Sequence, residues 1–124
     1  MPKRSPIIKL ARAYDHPQGN GEYRALVDRL WPRGVRKETL ELDRWLKDLA
    51  PSSELRKWFD HRPERWDEFR RRYFLELDSK PDLVAEIVDI ANRQPILLIY
   101  ASRDTEHNQA VALREYLLRH ISHT

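Results

Sequence analysis

Two short segments of the sequence concentrate the side chains that could bind an anion. Residues 28–34 read DRLWPRG, and residues 102–108 read SRDTEHN. Arginine carries a planar, permanently charged guanidinium group that binds phosphate or carboxylate through paired hydrogen bonds. The two segments therefore predict a binding site for a small phosphate- or carboxylate-bearing ligand. The predicted ligand-binding residues are Arg29, Trp31, Arg33, Gly34, Arg103, Thr105 and Asn108.

The same segments hold candidate groups for catalysis. Asp28, Asp104 and His107 have side chains that can act as general acid or base. Ser102 follows a predicted buried strand, and Asp104 and His107 are close to it in sequence. A serine nucleophile needs its base within hydrogen-bond reach, which depends on the fold. These four residues are therefore candidate catalytic groups, and whether the protein is an enzyme stays open.

The motifs of most other site classes are missing from the sequence. The chain has no cysteine, which excludes disulfides, thiolate zinc ligands and thiol nucleophiles. Its five histidines form no HExxH motif and no well-spaced pair, so we expect no metal site. Dinucleotide-binding, phosphate-loop and G-x-S-x-G motifs are also missing, and we predict no cofactor.

Length and composition limit the class of protein. A chain of 124 residues suits one domain, spanning 1–124, that can bury a core without disulfides or metals. The basic N-terminal segment lacks the apolar stretch of a signal peptide, and no segment approaches the roughly 20 apolar residues of a membrane span. We therefore expect a cytoplasmic protein that is not inserted in a membrane, with frayed ends at 1–6 and 120–124. The sequence does not indicate an oligomeric state.

Arginine richness admits two further functional hypotheses. Charged residues make up 35% of the chain, and arginines greatly outnumber lysines, which favours an anionic partner but also fits arginine-rich codon usage. The helix predicted over 63–78 mixes arginines with aromatic residues and could contact nucleic acid. Acidic residues at helical spacing among these arginines favour instead a solvated surface of internal ion pairs. Nucleic-acid binding is the second hypothesis, and a protein-interaction module with exposed tryptophans is the third.

Three predicted strands must position the two segments. Residues 7–14 alternate apolar and polar as a half-buried strand does, and 23–31 favour a second strand that Pro32 ends. The turn-forming residues of 15–22 predict that these two strands form an antiparallel hairpin. The continuous apolar run 95–101 predicts a central strand, buried on both faces and parallel to a neighbour.

Helical patterns account for most of the remaining chain. They predict a helical turn near 37–40, an extended or loose stretch around Trp45, a serine-capped helix in 51–61 and the helix opened by Pro63. A capping box at Ser79 and a cap at Asp104 or Thr105 would begin the last two helices. The order of elements predicts an α/β fold. We expect a single compact domain whose small mixed sheet, the N-terminal hairpin plus the central parallel strand, is packed by four to five helices.

The predicted topology brings the two segments together. A long helical crossover connects strands 23–31 and 95–101, as parallel strands require. If these strands are neighbours, their C-terminal ends open at the same edge of the sheet, where open α/β sheets bind ligands. Residues 28–34 and 102–108 would then border one crevice beside the N-terminus of the last helix, a position that favours anions.

Some residues of this region have a simpler interpretation. Arg33 and Gly34 would form only a turn, Trp31 would be a core residue, and Asp28 would pair with Arg29 for structural reasons alone. The hairpin would also place residues 14–16 (Tyr14, Asp15 and His16) at the opposite edge of the sheet, so we leave them out of the site.

Three blocks of the sequence resemble the YeaO-like branch of the domain-of-unknown-function 488 family. They match in order over almost the whole chain, from about Ile8 to Leu118. The resemblance implies a small cytoplasmic α/β protein of bacteria or archaea, and it assigns no catalytic residue. Other branches carry a cysteine and a histidine near the end of the strand that matches 96–101, where this chain has Ala101 and Ser102. The blocks are 23–34 (YRALVDRLWPRG), 45–59 (WLKDLAPSSELRKWF) and 97–113 (LLIYASRDTEHNQAVAL).

Overall fold

The computed structural model describes residues 6–19 and 21–122. Within them, four parallel strands form one sheet in the order β1-β4-β2-β3, and five α-helices accompany it, so the predicted α/β fold is confirmed. The strands are β1 (Ile8–Arg12), β2 (Tyr23–Leu26), β3 (Arg44–Trp45) and β4 (Ile96–Tyr100). The helices are α1 (Lys37–Leu40), α2 (Ser53–Phe59), α3 (Trp66–Asp78), α4 (Pro81–Arg93) and α5 (Gln109–Ser122). Short 3-10 turns cover Ala13–Asp15, Lys47–Leu49 and Pro63–Arg65.

β4 lies between β1 and β2 because its side chains are apolar on both faces. Ile96 and Leu98 pack into the larger of two core clusters, whereas Leu97 and Ile99 pack into the smaller one. All five residues of the strand are buried. The prediction of a central strand covered on both sides is therefore confirmed.

The predicted N-terminal hairpin is wrong. β4 inserts between the first two strands, and Leu98 pairs in parallel with Leu10 of β1 and with Ala25 of β2. The connection between β1 and β2 therefore returns the chain to the other end of the sheet instead of forming a local reversal. The insertion gives the backbone groups of β4 partners along both edges, which a buried strand requires. The predicted mixed sheet is entirely parallel over the part of the chain that the structure describes.

β2 is also shorter than expected, because it ends at Leu26 and not near residue 31. The Val27 amide still donates to the Ile99 carbonyl at 2.9 Å, after which the chain leaves the sheet. Gly34 adopts a φ of +79°, the left-handed region that glycine enters without a steric penalty. Residues 28–34 thus form a loop at the C-terminal edge of the sheet.

The helices cover the two faces of the sheet unequally. Helices α2 to α5 pack on one face and form the larger core cluster, which contains the fully buried Tyr73. The other face is covered by α1 and by the loop after β2, with Leu40 fully buried and Trp31 and Trp45 partly buried. The short helix and extended stretch predicted for residues 37–45 are therefore confirmed.

Helix boundaries match one of three cap predictions. Ser52 caps α2, since its Oγ accepts a hydrogen bond from the Leu55 amide at 3.1 Å. Ser79 forms no capping box: it ends α3, and α4 begins with Pro81, whose missing N–H needs no cap. The first turn of α5 is capped by Asn108, not by Asp104 or Thr105, because Asn108 Oδ1 accepts from the Val111 amide at 3.0 Å.

The chain ends that we expect to fray fall mostly outside the described residues, which exclude 1–5 and 123–124. The last helix continues through Ser122. Among the helices of the described chain, none has the length and apolar character needed to cross a bilayer.

Candidate functional site

A crevice of about 860 Å³ opens at the C-terminal edge of the sheet. Strands β1, β2 and β4 are parallel and end at this edge, which is the usual position of ligand sites in open α/β sheets. Both predicted segments border it, so Trp31 and Asp104 lie on one crevice. The lining residues are Arg12, Tyr14, Asp28, Arg29, Leu30, Trp31, Pro32, Arg33, Pro51, Arg56, His61, Ala101, Ser102, Arg103, Asp104 and Gln109.

Asp28 connects the elements that meet at the crevice. Its Oδ2 accepts a hydrogen bond from the Ala101 amide at 3.0 Å, and its Oδ1 accepts one from the Gln109 side chain. Its backbone carbonyl accepts from the Trp45 indole N–H at 2.7 Å. One residue therefore joins the ends of β2 and β4, the first turn of α5 and the segment of β3.

The pKa of the Asp28 carboxyl group lies above its ordinary value. Burial raises its pKa to about 6, although the hydrogen bonds from Ala101 and Gln109 and the positive charge of Arg56 act in the opposite direction. Asp28 takes part in none of the ion pairs found in residues 6–19 and 21–122, so the predicted structural pair with Arg29 does not form. The crevice thus contains a partly buried carboxyl group that is hydrogen-bonded but forms no ion pair with an adjacent cation in the described residues.

Positive charge dominates the walls of the crevice. Five arginines line it, against the two carboxyl groups of Asp28 and Asp104. Arg12 is held in place, because its Nε donates to the Ser102 carbonyl at 2.9 Å and its guanidinium group lies 3.8 Å from the Asp15 carboxylate. Across the described chain, the other four arginines have no carboxylate within ion-pair distance. Such a cluster of unneutralised guanidinium groups attracts anions. The four are Arg29, Arg33, Arg56 and Arg103.

The structure brings four of the seven predicted ligand-binding residues to the crevice: Arg29, Trp31, Arg33 and Arg103. The other three lie outside its lining. Gly34 turns the loop, Thr105 is exposed on the segment after β4, and Asn108 is only 2% exposed, where it borders an adjoining cavity of about 470 Å³.

Trp31 forms part of the crevice wall and is also a packing residue. Its indole Nε1 donates to the Val35 carbonyl at 2.7 Å, and its ring meets the Trp45 ring edge-on at 5.5 Å between centroids. These contacts fix the orientation of the ring. Trp31 therefore fits both predicted alternatives, because it lines the crevice and also packs against the smaller core cluster.

The predicted placement of Tyr14 at the opposite edge of the sheet is wrong. Because β1 runs parallel to β4, its C-terminal end reaches the same edge of the sheet, and Tyr14 and Arg12 both line the crevice. The Tyr14 hydroxyl donates to the Arg33 carbonyl at 3.0 Å, which links the end of β1 to the loop after β2. Asp15 also lies at this edge, where it pairs with Arg12.

Sequence reasoning also missed Arg56 and His61. Arg56 lies on α2, and its place in the helical pattern marks it only as an exposed residue. His61 follows this helix, where Asp60 and His61 adopt left-handed φ angles of 49° and 52°. Consecutive left-handed non-glycine residues are rare and cluster at functional sites. No local signal in the sequence places either side chain beside residues 28–34.

The candidate catalytic residues do not form a serine–histidine–aspartate relay. The Ser102 hydroxyl accepts a hydrogen bond from the Asp104 amide at 3.2 Å, whereas His107 Nδ1 lies 3.0 Å from Asp104 Oδ2. His107 borders the adjoining cavity, with its ring edge-on to Trp66. The described hydrogen bonds therefore couple His107 to Asp104 but not to Ser102, and the histidine is not placed to activate the hydroxyl.

Side chains of the segment before α5 accept hydrogen bonds from the backbone amides of that segment and of the first turn of the helix. Asp104 Oδ1 accepts from the amides of Glu106 and His107, both at 2.9 Å, and Asn108 caps the first turn of the helix. Burial opposes ionisation of Asp104, but these two amides and His107 outweigh it and hold its pKa below the ordinary value. The amides of Glu106, His107 and Val111 are therefore already hydrogen-bonded, and the guanidinium groups of the crevice are the stronger candidates to bind an anion.

The arginine-rich helix has the ion-paired surface that its sequence favours. Arg71 and Arg72 both pair with Glu68, at 2.7 and 2.8 Å. Arg70 pairs with Glu115 of α5, with Nε and Oε2 3.0 Å apart. Much of the positive charge on α3 is thus neutralised within the molecule.

Two other predicted features bear on alternative functions. All four tryptophans are partly buried, so the exposed tryptophans expected of an interaction module are not found. In the described chain, no group of three or more histidine, aspartate or glutamate side chains is arranged to hold a metal ion.

Comparison with known proteins identifies relatives over almost the entire chain. Residues 7–124 match the family described as the inactive DUF488-N3 subclade. The chain is 41% identical over 110 residues to the uncharacterized protein YeaO of Escherichia coli, covering 89% of this chain and 96% of that protein. It is 39% identical over 114 residues to the uncharacterized protein Rv3073c of Mycobacterium tuberculosis, covering 92% of this chain and 96% of that protein. No solved structure matches the chain.

Proposed function

Because this chain belongs to the DUF488 family, within its inactive DUF488-N3 subclade, we propose that it binds a small ligand without transforming it. The ligand carries phosphate or carboxylate and occupies the crevice at the C-terminal ends of β1, β2 and β4. The word inactive in the family description favours binding over catalysis. The lack of a hydrogen bond between Ser102 and His107 agrees with that choice.

One observation carries the proposal: guanidinium groups converge on the crevice without carboxylate partners. Arg33 comes from the loop after β2, Arg103 from the segment after β4, and Arg56 from α2. Positive groups held together by separate elements repel one another, and an anion relieves that repulsion. Bidentate hydrogen bonding to phosphate or carboxylate oxygens would add orientation to the electrostatic attraction.

The size and composition of the crevice fit a small organic anion. Its volume of about 860 Å³ lies within the range of pockets that enclose drug-sized ligands, which is far more than an inorganic ion needs. Leu30, Trp31 and Pro32 add apolar surface to the lining. The cytoplasmic location expected from the sequence stays a prediction.

Thermal denaturation with a panel of anions tests the proposal. The panel contains inorganic phosphate, pyrophosphate, citrate and adenosine monophosphate. A ligand present at 100 times its Kd stabilises the folded state by about 2.7 kcal/mol, which raises the Tm of a domain of this size by about 10 °C. We expect at least one member to raise the Tm of the wild-type protein, and Arg33→Ala and Arg103→Ala to fold but lose that response.

Arg93→Ala is the matched control. Arg93 ends α4 directly before β4, at the opposite edge of the sheet, and pairs with Asp89 at 2.8 Å. The variant removes the same charge and should keep the full response to anions. If no anion raises the Tm of the wild-type protein, or if the three variants respond equally to it, the proposed crevice function is wrong.

A further inference from the structure

Asp28 is an unexpected group in a crevice for anions, because a carboxylate repels the ligand that the arginines attract. It lies between elements that present guanidinium groups, yet none of them pairs with it in the described structure. The hydrogen bonds from Ala101 and Gln109 orient it instead. A group that opposes binding of a bare anion is best explained by a contact with some other part of the ligand.

The hydrogen-bonding capacity of Asp28 is only partly used. An ionised carboxylate offers about four lone-pair positions on its two oxygens. The described residues supply one side-chain or backbone-amide donor to each oxygen, Gln109 to Oδ1 and the Ala101 amide to Oδ2. Asp28 lines the crevice and is partly exposed there, so its remaining lone pairs are open to a donor in the crevice.

We propose that Asp28 makes the crevice selective for anions that also carry hydroxyl or amino groups, such as the phosphates of polyols and sugars. This inference rests on the proposed function and deepens it by naming the class of ligand. The guanidinium groups bind the anionic end, the Asp28 carboxylate accepts a hydrogen bond from a hydroxyl or amino group, and the apolar wall contacts the carbon skeleton. The large volume of the crevice relative to an inorganic anion agrees with a ligand that has such a body.

Two matched pairs of compounds test the assignment on the wild-type protein. Glycerol 3-phosphate is compared with propyl phosphate, and adenosine monophosphate with its 2′,3′-dideoxy analogue. Within each pair the phosphate is the same and the hydroxyl groups differ. Calorimetry at pH 8 keeps Asp28 ionised, since its pKa is about 6. A hydrogen bond to a charged acceptor is worth about 10-fold or more in affinity, so the hydroxylated member of at least one pair should bind at least about 10-fold more tightly.

The Asp28→Asn variant tests the contribution of the carboxylate independently of the arginines of the crevice. Asparagine retains the shape of the side chain and one acceptor oxygen, but it removes the charge that favours a hydroxyl donor. We expect the preference for the hydroxylated compound to fall below about 3-fold, while the deoxygenated compound binds as well as before or better. Asp82→Asn, at an exposed position in the first turn of α4, is the control and should keep the wild-type preference.

The outcomes distinguish a failure of the role assigned to Asp28 from a failure of the proposed anion binding. Equal binding of both members of each pair would overturn the role of Asp28 and leave the anion crevice standing, and that comparison needs no variant. A preference that survives Asp28→Asn would assign selectivity to another residue and also overturn the inference. If the wild-type protein binds none of the four compounds and also gives no response to phosphate, pyrophosphate or citrate, the proposed function itself is wrong.

Discussion

The carboxylate of Asp28 accepts a hydrogen bond from the backbone amide of Ala101 at 3.0 Å, across 73 positions of sequence. This bond joins the residue that begins the loop after β2 to the residue that follows β4. It holds the two charged segments at one edge of the sheet, and the crevice lies between them. The stability of the fold and the properties of the candidate site are therefore coupled through one side chain.

Asp28 should make stability depend on pH. Its pKa is about 6 in the folded protein, against 3.8 for an unperturbed aspartate. Between about pH 4 and pH 6 the folded state retains a proton that the unfolded chain has released, so the free energy of unfolding falls as pH rises through this window. A shift of this size corresponds to about 3 kcal/mol.

Asp28→Asn should remove that dependence. Asparagine can still accept from the Ala101 amide and has no charge to desolvate. Urea unfolding from pH 4 to pH 8 should show the variant gaining about 3 kcal/mol relative to the wild-type protein across the window, and no further change above it. A difference between the two proteins that is flat with pH would contradict the raised pKa.

Trp31 should matter more for stability than its partial exposure suggests. Trp31→Ala removes the contact with Trp45 and the hydrogen bond to the Val35 carbonyl, and we expect it to lower the free energy of unfolding by about 3 kcal/mol. Trp31→Phe keeps an aromatic ring and should cost about 1 kcal/mol. Leu30→Ala is the neighbouring control. Its side chain is 64% exposed, so chemical denaturation should detect a change within about 0.5 kcal/mol.

The Tyr73 hydroxyl should contribute measurably to stability. Tyr73 lies on α3 and is fully buried, and its hydroxyl donates at 2.5 Å to the carbonyl of Leu49, in the turn before α2. Tyr73→Phe deprives this carbonyl of a donor and should cost about 1 to 3 kcal/mol in urea unfolding. Tyr14→Phe removes the exposed hydrogen bond to Arg33 and should cost less than about 0.5 kcal/mol. Equal losses in the two variants would refute the importance of burial at Tyr73.

The ion pairs of α3 predict weak binding of nucleic acid. Glu68 pairs with both Arg71 and Arg72, which leaves less charge to displace counterions from phosphates. Fluorescence anisotropy with a DNA and an RNA oligonucleotide should show little affinity at 0.15 M salt, and Arg71→Ala and Arg72→Ala should not change it. Tight binding with a steep salt dependence, whose slope falls by about 1 with each of these substitutions, would restore nucleic acid as the partner.

The sequence by itself determined the features that depend on local pattern. The uninterrupted apolar run of β4 requires burial on both faces, and the long helical connection before it requires a parallel neighbour. From those two facts it follows that residues 28–34 and 102–108 meet at one edge of the sheet if β2 and β4 are neighbours, and the structure shows that they are. The serine cap of α2 and the pairs of Glu68 with Arg71 and Arg72 on α3 are equally local, because they involve residues three or four positions apart.

Only the tertiary structure decided which strand lies between which. The residue patterns of 7–14 and 23–31 are the same whether these strands pair with each other or with β4, because such patterns report which faces are buried and not which strand is adjacent. Placing β4 between them reversed the direction expected for β1 and brought Arg12 and Tyr14 to the crevice. Arg56 and His61 reach the crevice because α2 packs beside the loop after β2. This contact joins distant parts of the chain, and no local spacing in the sequence predicts it.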